Sequence, residues 1–375
     1  MTTKAIAILL HDFNAGGTEA TAFRLAAEWI ALGHRVTIVA GAARGRCATG
    51  VPAGGDGCAC CRPKCRAAPL RGYGWARRWR RCCARVAPDV AYLTGNFHFW
   101  LAPALRRALP DLPIVAKISN PLLPDLPRAV SPVTRAVLRR LTDPIDVLVA
   151  MSPELAERDR VLLPGRPIRI APEPNLATGH MPLPRDAPPP VPHILAIGRM
   201  ERQKNLALAL RAFADLHRER VARLTILGDG PERPRLEALA RRLGIADAVA
   251  MPGFAPDIAP DLARASLLLL TSRYEGFPAV PVEALAADVP VVATDCSPVL
   301  RGLLPTPLHG RVSARATPAA LATAMRDTLA QPFTSCGVRP HIVAGYTAAA
   351  AARRYLEIFD DAIALHPDTA PCVAR

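Results

Sequence analysis

The sequence predicts an α/β protein of two doubly wound domains, each a parallel sheet covered on both faces by helices. Three observations carry this. Short apolar runs of strand length alternate with helix-period stretches, from residue 5 to about 160 and again from residue 193 onward, the pattern of parallel strands joined by crossover helices. A proline-rich stretch, Pro182 to Pro192, breaks that rhythm as a semi-rigid linker. The 375 residues are enough for two domains at roughly 150 residues each. The expected division is 1–184 and 185–345, with a closing helix in 346–375 packing back on the first domain.

The elements follow in order. Ala5–Leu10 reads as a buried strand. Thr18–Leu32 reads as a helix, entered through Gly16-Gly17 and closed by Gly33. Val36–Ala40, Val90–Leu93, Ile114–Ile118 and Val147–Ala150 are the next strands. Ser152-Pro153-Glu154 then opens a helix with a capping hydroxyl, a first-turn proline and an early acid. The second run holds strands at Ile194–Ile197, Leu224–Leu227, Leu267–Leu270 and Val289–Ala293. Its helices are expected at Asn205–His217, Glu232–Leu243 and Pro278–Ala287, and a late one at Ala348–Ala364.

Residues 41–88 depart from this pattern. Gly- and Cys-rich loops precede a stretch where Trp75, Trp79, Cys82 and Val86 share one helical stripe and arginines cover the rest. It reads either as a helix packed on the sheet with a solvated basic face, or as an interfacial helix against acidic lipid. Cys58, Cys61, Cys65 and Cys82 are either incidental thiols or zinc ligands, although the second Cys-x-x-Cys of a zinc ribbon is missing.

Composition excludes several classes. Half the residues are hydrophobic, which excludes wholesale disorder. The run Ala265–Leu270 is far short of the roughly 18 residues that span a bilayer. The apolar stretch after Lys4 stops at His11, too short for a secretory signal. A cytoplasmic protein with reduced thiols is therefore expected. The net charge is +15, and residues 1–185 hold 26 Lys+Arg against 13 Asp+Glu, whereas residues 186–375 hold 21 against 19. A basic first half attracts anionic partners. Nucleic acid is not expected among them, because aromatics are only 5% and the basic cluster is local.

Three segments of the second half carry chemistry. Gly198-Arg199-Met200-Glu201-Arg202-Gln203-Lys204-Asn205 lies between a strand and a helix. A sharp turn there brings the Arg199 fork, the Lys204 point charge and free helix amides together, which suits a diphosphate. Gly228-Asp229-Gly230-Pro231 is a tight turn and no dinucleotide fingerprint, since Arg233 stands where a third glycine is needed. Ser272-Arg273-Tyr274-Glu275-Gly276-Phe277-Pro278 is followed by Glu283, putting two acids eight positions apart to accept bonds from sugar hydroxyls. The plainer readings are a solvated basic loop and surface charge. The apolar neighbours of Glu283 (Val280, Val282, Ala284, Leu285) argue that it needs a partner.

Together these segments resemble glycosyltransferase family 4, of GT-B fold, over about Leu195 to Asp295. The family's Glu-x7-Glu pattern is matched by Glu275 and Glu283, and Gly16-Gly17-Thr18-Glu19 is similar to its glycine-rich loop. Lys117-Ile118-Ser119-Asn120 and Met151-Ser152-Pro153-Glu154 are similar to weaker segments. The resemblance implies two Rossmann-like domains facing a cleft and a retaining transfer of a sugar from a nucleotide-diphosphate donor. Arg199 and Lys204 then neutralise the leaving diphosphate, Glu283 holds the ribose, and Glu275 contacts the donor sugar. Gly16, Gly17, Gly198, Asn205, Gly228, Gly276, Phe277 and Pro278 line the donor. His98 matches the family's amino-domain histidine beside the transferred sugar, or is a packed core residue between Phe97 and Phe99. No Asp-x-Asp occurs, so neither metal nor cofactor is expected. The expected partners are a nucleotide sugar and a glycan or lipid-linked acceptor, with peripheral contact between the basic half and acidic membrane. The competing readings are another GT-B enzyme, such as a nucleotide-sugar epimerase, and a basic anion-binding protein without catalysis.

Overall fold

The computed structural model describes residues 2–10, 17–40, 86–123, 131–178, 189–331 and 338–366. The chain divides into two compact units, Met1–Thr178 with Thr347–Arg375, and Gly179–Tyr346. The expected linker lies outside the described residues over 182–188, as do the helix expected around Trp75 and Cys58, Cys61, Cys65 and Cys82.

In the first unit the described strands are β1 (Ala5–Leu10), β2 (Arg35–Ala40), β3 (Val90–Leu93), β4 (Ile114–Lys117), β5 (Val147–Ala150) and β6 (Ile168–Ile170). They form a parallel sheet in the order β2-β1-β3-β4-β5-β6. β1, β3, β4 and β5 are buried at every position, which is why they read as unbroken apolar runs. The helix Gly17–Ala31 joins β1 to β2.

The helix Ala348–Ala364 completes this unit. Thr347 caps it, accepting from the Ala350 amide at 3.3 Å. Its buried stripe of Ala351, Ala352, Tyr355, Leu356, Ile358, Phe359 and Ala362 shares one core with Trp29 and Tyr92. Trp29 meets Tyr355 and Phe359 with ring centroids at 6.1 and 5.2 Å, and its indole N–H donates to the Ala352 carbonyl at 3.0 Å. Tyr92 and Tyr355 share a buried hydroxyl contact of 3.1 Å. A buried ion pair closes the carboxyl end of β4: Lys117 Nζ lies 2.9 and 3.1 Å from the Glu173 oxygens, and Thr21 donates to the same carboxylate at 2.8 Å. Such a pair needs these extra bonds to offset desolvation.

In the second unit the described strands are β7 (His193–Ile197), β8 (Arg223–Leu227), β9 (Val249–Gly253), β10 (Leu267–Leu270), β11 (Val291–Thr294) and β12 (Gly310–Ser313). Their order is β12-β11-β10-β7-β8-β9, again parallel. The chain runs outward from β7 through β8 to β9, then returns to place β10 on the other side of β7. The order therefore reverses between β7 and β10, and doubly wound sheets bind ligands beyond the carboxyl ends of the strands at such a switch point.

Candidate functional site

Four loops meet at that carboxyl edge, following β7, β8, β10 and β11. The first two are held together by backbone. Gly198 donates to the Leu227 carbonyl at 2.9 Å, Met200 to that of Asp229 at 2.8 Å, and Glu232 back to that of Met200 at 3.0 Å. Gly228, at φ +131°, approaches so closely that a Cβ would lie 2.0 Å from the Gly198 carbonyl oxygen. Only glycine fits there. Gly198 lies against the stem of Lys204, since a Cβ on it would sit 3.2 Å from both Cδ and Cε. These two glycines shape the loops and aim the lysine.

Lys204 Nζ lies 2.6 Å from Glu275 Oε1, with only 20% and 10% of the two side chains exposed. Ser272 donates its hydroxyl to the same oxygen at 2.5 Å. The loops bearing the pair are stitched to each other. Thr271 donates to the Lys204 carbonyl at 3.0 Å, the Arg273 amide to that of Gln203 at 2.8 Å, and the Gln203 side chain to that of Tyr274 at 3.0 Å. Asn205 takes a left-handed conformation (φ +49°) to turn into the helix Leu206–Glu219, a conformation asparagine tolerates.

The loop after β11 braces the other side. The Glu275 amide donates to the Cys296 carbonyl at 2.8 Å, Ser297 to that of Gly276 at 2.9 Å, and Thr294 to that of Ser272 at 2.7 Å. Burial, and then the charge of Glu275, push the Cys296 thiol up to about 12, so it stays protonated and inert. Phe277 tilts against Tyr346 with centroids at 5.0 Å. Pro278 precedes the helix Ala279–Ala286, on which Glu283 is half-buried.

The other expected site residues are placed differently. Arg199 shares the Lys204 loop, but its guanidinium is 67% exposed and pairs with Glu201 at 2.6 Å. His98 is buried in the first unit, its Nδ1 3.5 Å from the Thr94 hydroxyl and its ring edge-on to Phe97. Gly17 opens the helix after β1, and Gly16 lies outside the described residues. Gln203 and Ser272 lie within the segments the sequence singled out but had no role assigned there, and Thr271, Cys296 and Ser297 were not singled out. Their only signal is a polar side chain at the carboxyl end of an apolar run, which many loops share.

The chemistry open to this arrangement is anion binding. An ammonium has three donors, and Lys204 uses one on Glu275, leaving two for oxygens of an incoming ligand. Its position at the switch point is where doubly wound sheets bind ligands.

Two family models match this chain, one within each unit. The family model described as Glycosyltransferase Family 4 matches residues 15–174, and the one described as Glycosyl transferases group 1 matches residues 191–331. Among curated relatives, the lipopolysaccharide core biosynthesis glycosyltransferase LpsE of Rhizobium meliloti is 31% identical over 214 residues, 56% of each chain. The N-acetylgalactosamine-N,N'-diacetylbacillosaminyl-diphospho-undecaprenol 4-alpha-N-acetylgalactosaminyltransferase of Campylobacter jejuni is 36% identical over 102 residues, 27% of each chain. The chain thus spans between about a quarter and about half the length of these relatives. Two solved structures match nearly end to end, each with a TM-score of 0.75. They are the sucrose-phosphate synthase of Thermosynechococcus elongatus at 17% identity and the Anabaena HepE at 16%, each over 96% of this chain and 100% of the other. The two matched models, one on each parallel sheet, mean that this chain belongs to the family 4 glycosyltransferases of GT-B fold.

Proposed function

We propose that the protein is a retaining glycosyltransferase that moves a sugar from a nucleotide-diphosphate donor to a hydroxyl of a glycan or lipid-linked acceptor in cell-envelope polysaccharide or glycolipid synthesis. The observation that carries this reading is the Lys204–Glu275 pair, 2.6 Å apart on the loops at the carboxyl edge of the second sheet. The lysine offers its free donors to the departing diphosphate, and the acid accepts from hydroxyls of the transferred sugar. Arg199, on the same loop, turns from Glu201 to the phosphates, and Glu283 holds the ribose. These fixed cations do for the leaving group what a metal does in other transferases, so chelators leave turnover unchanged. The acceptor hydroxyl attacks from the face the diphosphate leaves, and a phosphate oxygen takes its proton, so the anomeric configuration is kept.

Two relatives support the substrate classes. The C. jejuni relative is named for a diphospho-undecaprenol acceptor, and HepE was solved with UDP and glucose. The basic first half suits a phosphorylated or membrane-borne acceptor. The test is thermal stabilisation by a panel of nucleotide diphosphates and nucleotide sugars, followed by product analysis with chelator present. A ligand at 100 times its dissociation constant stabilises by about 2.7 kcal/mol. No shift with any nucleotide, or an inverted product, overturns the reading. Conversion of donor without acceptor would favour an epimerase.

A further inference from the structure

We propose that the second unit carries a further ligand site, for a sugar acid, beside Arg311 at the outer edge of its sheet. The site is separate from the Lys204 loops and goes beyond the transferase reading. β12 is the last strand of its sheet and has a strand partner on one side only. Along it lies a cavity of about 590 Å³, walled by the strand, the loop 304–307 and the helix Pro318–Leu329. That volume is within the range of small-molecule sites.

Two charged side chains line this cavity without partners. Arg311 is half-buried, its Nε is shut off from solvent, and its guanidinium makes no hydrogen bond or ion pair among the described residues. A guanidinium cannot shed its charge, and a buried donor left without an acceptor is rare and destabilising. On the helix, the Asp327 carboxylate likewise makes no hydrogen bond or ion pair among the described residues, since Arg326 beside it turns to Glu219 at 2.8 Å. The other polar side chains of the wall are engaged. Thr306 meets His309 at 2.8 Å, Ser313 donates to the Arg315 carbonyl at 2.9 Å, and Thr323 accepts from Arg326 at 3.1 Å. The backbone adds a donor. Val291 of β11 donates to the His309 carbonyl at 2.9 Å, so the alternate residues Gly310 and Val312 turn their backbone groups to the free edge.

An arginine fork beside an outward amide suits a carboxylate. An ionised acid only accepts, so Asp327 suits hydroxyls. Pro305, Pro307, Ala320 and Ala324 make a low apolar wall for one face of a ring. A sugar bearing a carboxylate has all three features. Inorganic phosphate has neither ring nor carbon-bound hydroxyls, and it would bring a second negative charge toward Asp327.

The test is calorimetric titration of the full chain with glucuronate, glucose and inorganic phosphate. Glucuronate should bind, and the other two about tenfold more weakly or not at all. R311Q should weaken glucuronate binding about tenfold, and D327N should weaken it to a smaller extent. Both variants should melt no lower than wild type, because neither side chain makes a bond in the fold. No glucuronate binding, equal binding of glucose or phosphate, wild-type binding by R311Q, or displacement of glucuronate by UDP or GDP overturns the proposal. Tighter binding of a glucuronate-containing disaccharide than of glucuronate supports the site with a glycan segment as occupant, and the reverse supports it with the free sugar acid. Nucleotide titration keeps this site apart from the transferase reading. Loss of glucuronate but not nucleotide binding in R311Q supports two sites. Glucuronate binding without nucleotide binding in the wild type leaves this site standing and removes the transferase.

Discussion

Lys204 concentrates the chemistry of the second unit in one side chain. Its stem lies on Gly198 and its ammonium on Glu275, so it is positioned before any ligand arrives. K204A should lower kcat at least 100-fold, about the weight of one preorganised charge contact in a transition state. K204A/E275Q, which removes both charges, should melt close to wild type and serve as the folding control. Near-normal turnover in a folded K204A would remove the leaving-group role. Gly228 provides a second residue-scale test. In G228A the added methyl collides with the Gly198 carbonyl at 2.0 Å, which should cost about 3 kcal/mol and loosen the lysine loop. G33A, with a positive φ of +86° but open space around it, should cost only about 1 kcal/mol. Denaturant midpoints of the two variants measure the difference, and equal losses would contradict the close approach.

At the scale of elements, the helix Pro153–Leu162 carries a buried acid. Asp159 is 2% exposed, and burial raises its carboxyl to about 7, against a smaller opposing pull from Arg158. The folded protein therefore keeps a proton that the unfolded chain gives up near pH 4. Stability from this group is full in acid and is lost as pH rises through about 7, by up to about 4 kcal/mol. D159N should flatten that part of the stability profile; an unchanged profile would show that another group titrates there.

The same scale explains what the sequence made legible. β1, β3, β4, β5, β7, β8, β10 and β11 lie inside their sheets, and their apolar runs announce them. β6, β9 and β12 are sheet edges of three to five residues, Ile168–Ile170, Val249–Gly253 and Gly310–Ser313. Their exposed sides admit Arg169, Pro252 and Arg311, so no run survives to be read. The helix Pro132–Thr142 was missed for a related reason: Val133, Ala136 and Val137 are exposed while Leu138 and Leu141 are half-buried, so its apolar residues form no single stripe. In the site, the acids and cations were legible as residues, but the partnering was not. Lys204 meets Glu275 across 71 positions of sequence, and the sequence alone offered Arg199 and Lys204 as one clamp, whereas Arg199 is held by Glu201. The brace from Cys296 and Ser297 depends on two strands lying side by side, which only the sheet order reveals.

At the scale of the whole molecule, the two units have separate cores. The first includes a helix from the far end of the sequence. Removing residues 347–375 would strip Tyr355, Leu356, Ile358 and Phe359 from that core. Loss of one such aromatic alone costs about 3–5 kcal/mol. The shortened chain should therefore lose the first unit's melting transition and keep the second's, along with nucleotide binding. A single unchanged transition would contradict the shared core.

The placement of Ala348–Ala364 also sets an order of events on the ribosome. Everything from β7 to Tyr346 is synthesised before the segment that seals the first sheet. Trp29 and Tyr92 thus wait through the synthesis of the second unit for Tyr355 and Phe359. For that interval the nascent first sheet presents an uncovered apolar face, and this half of the molecule is where a chaperone would be needed.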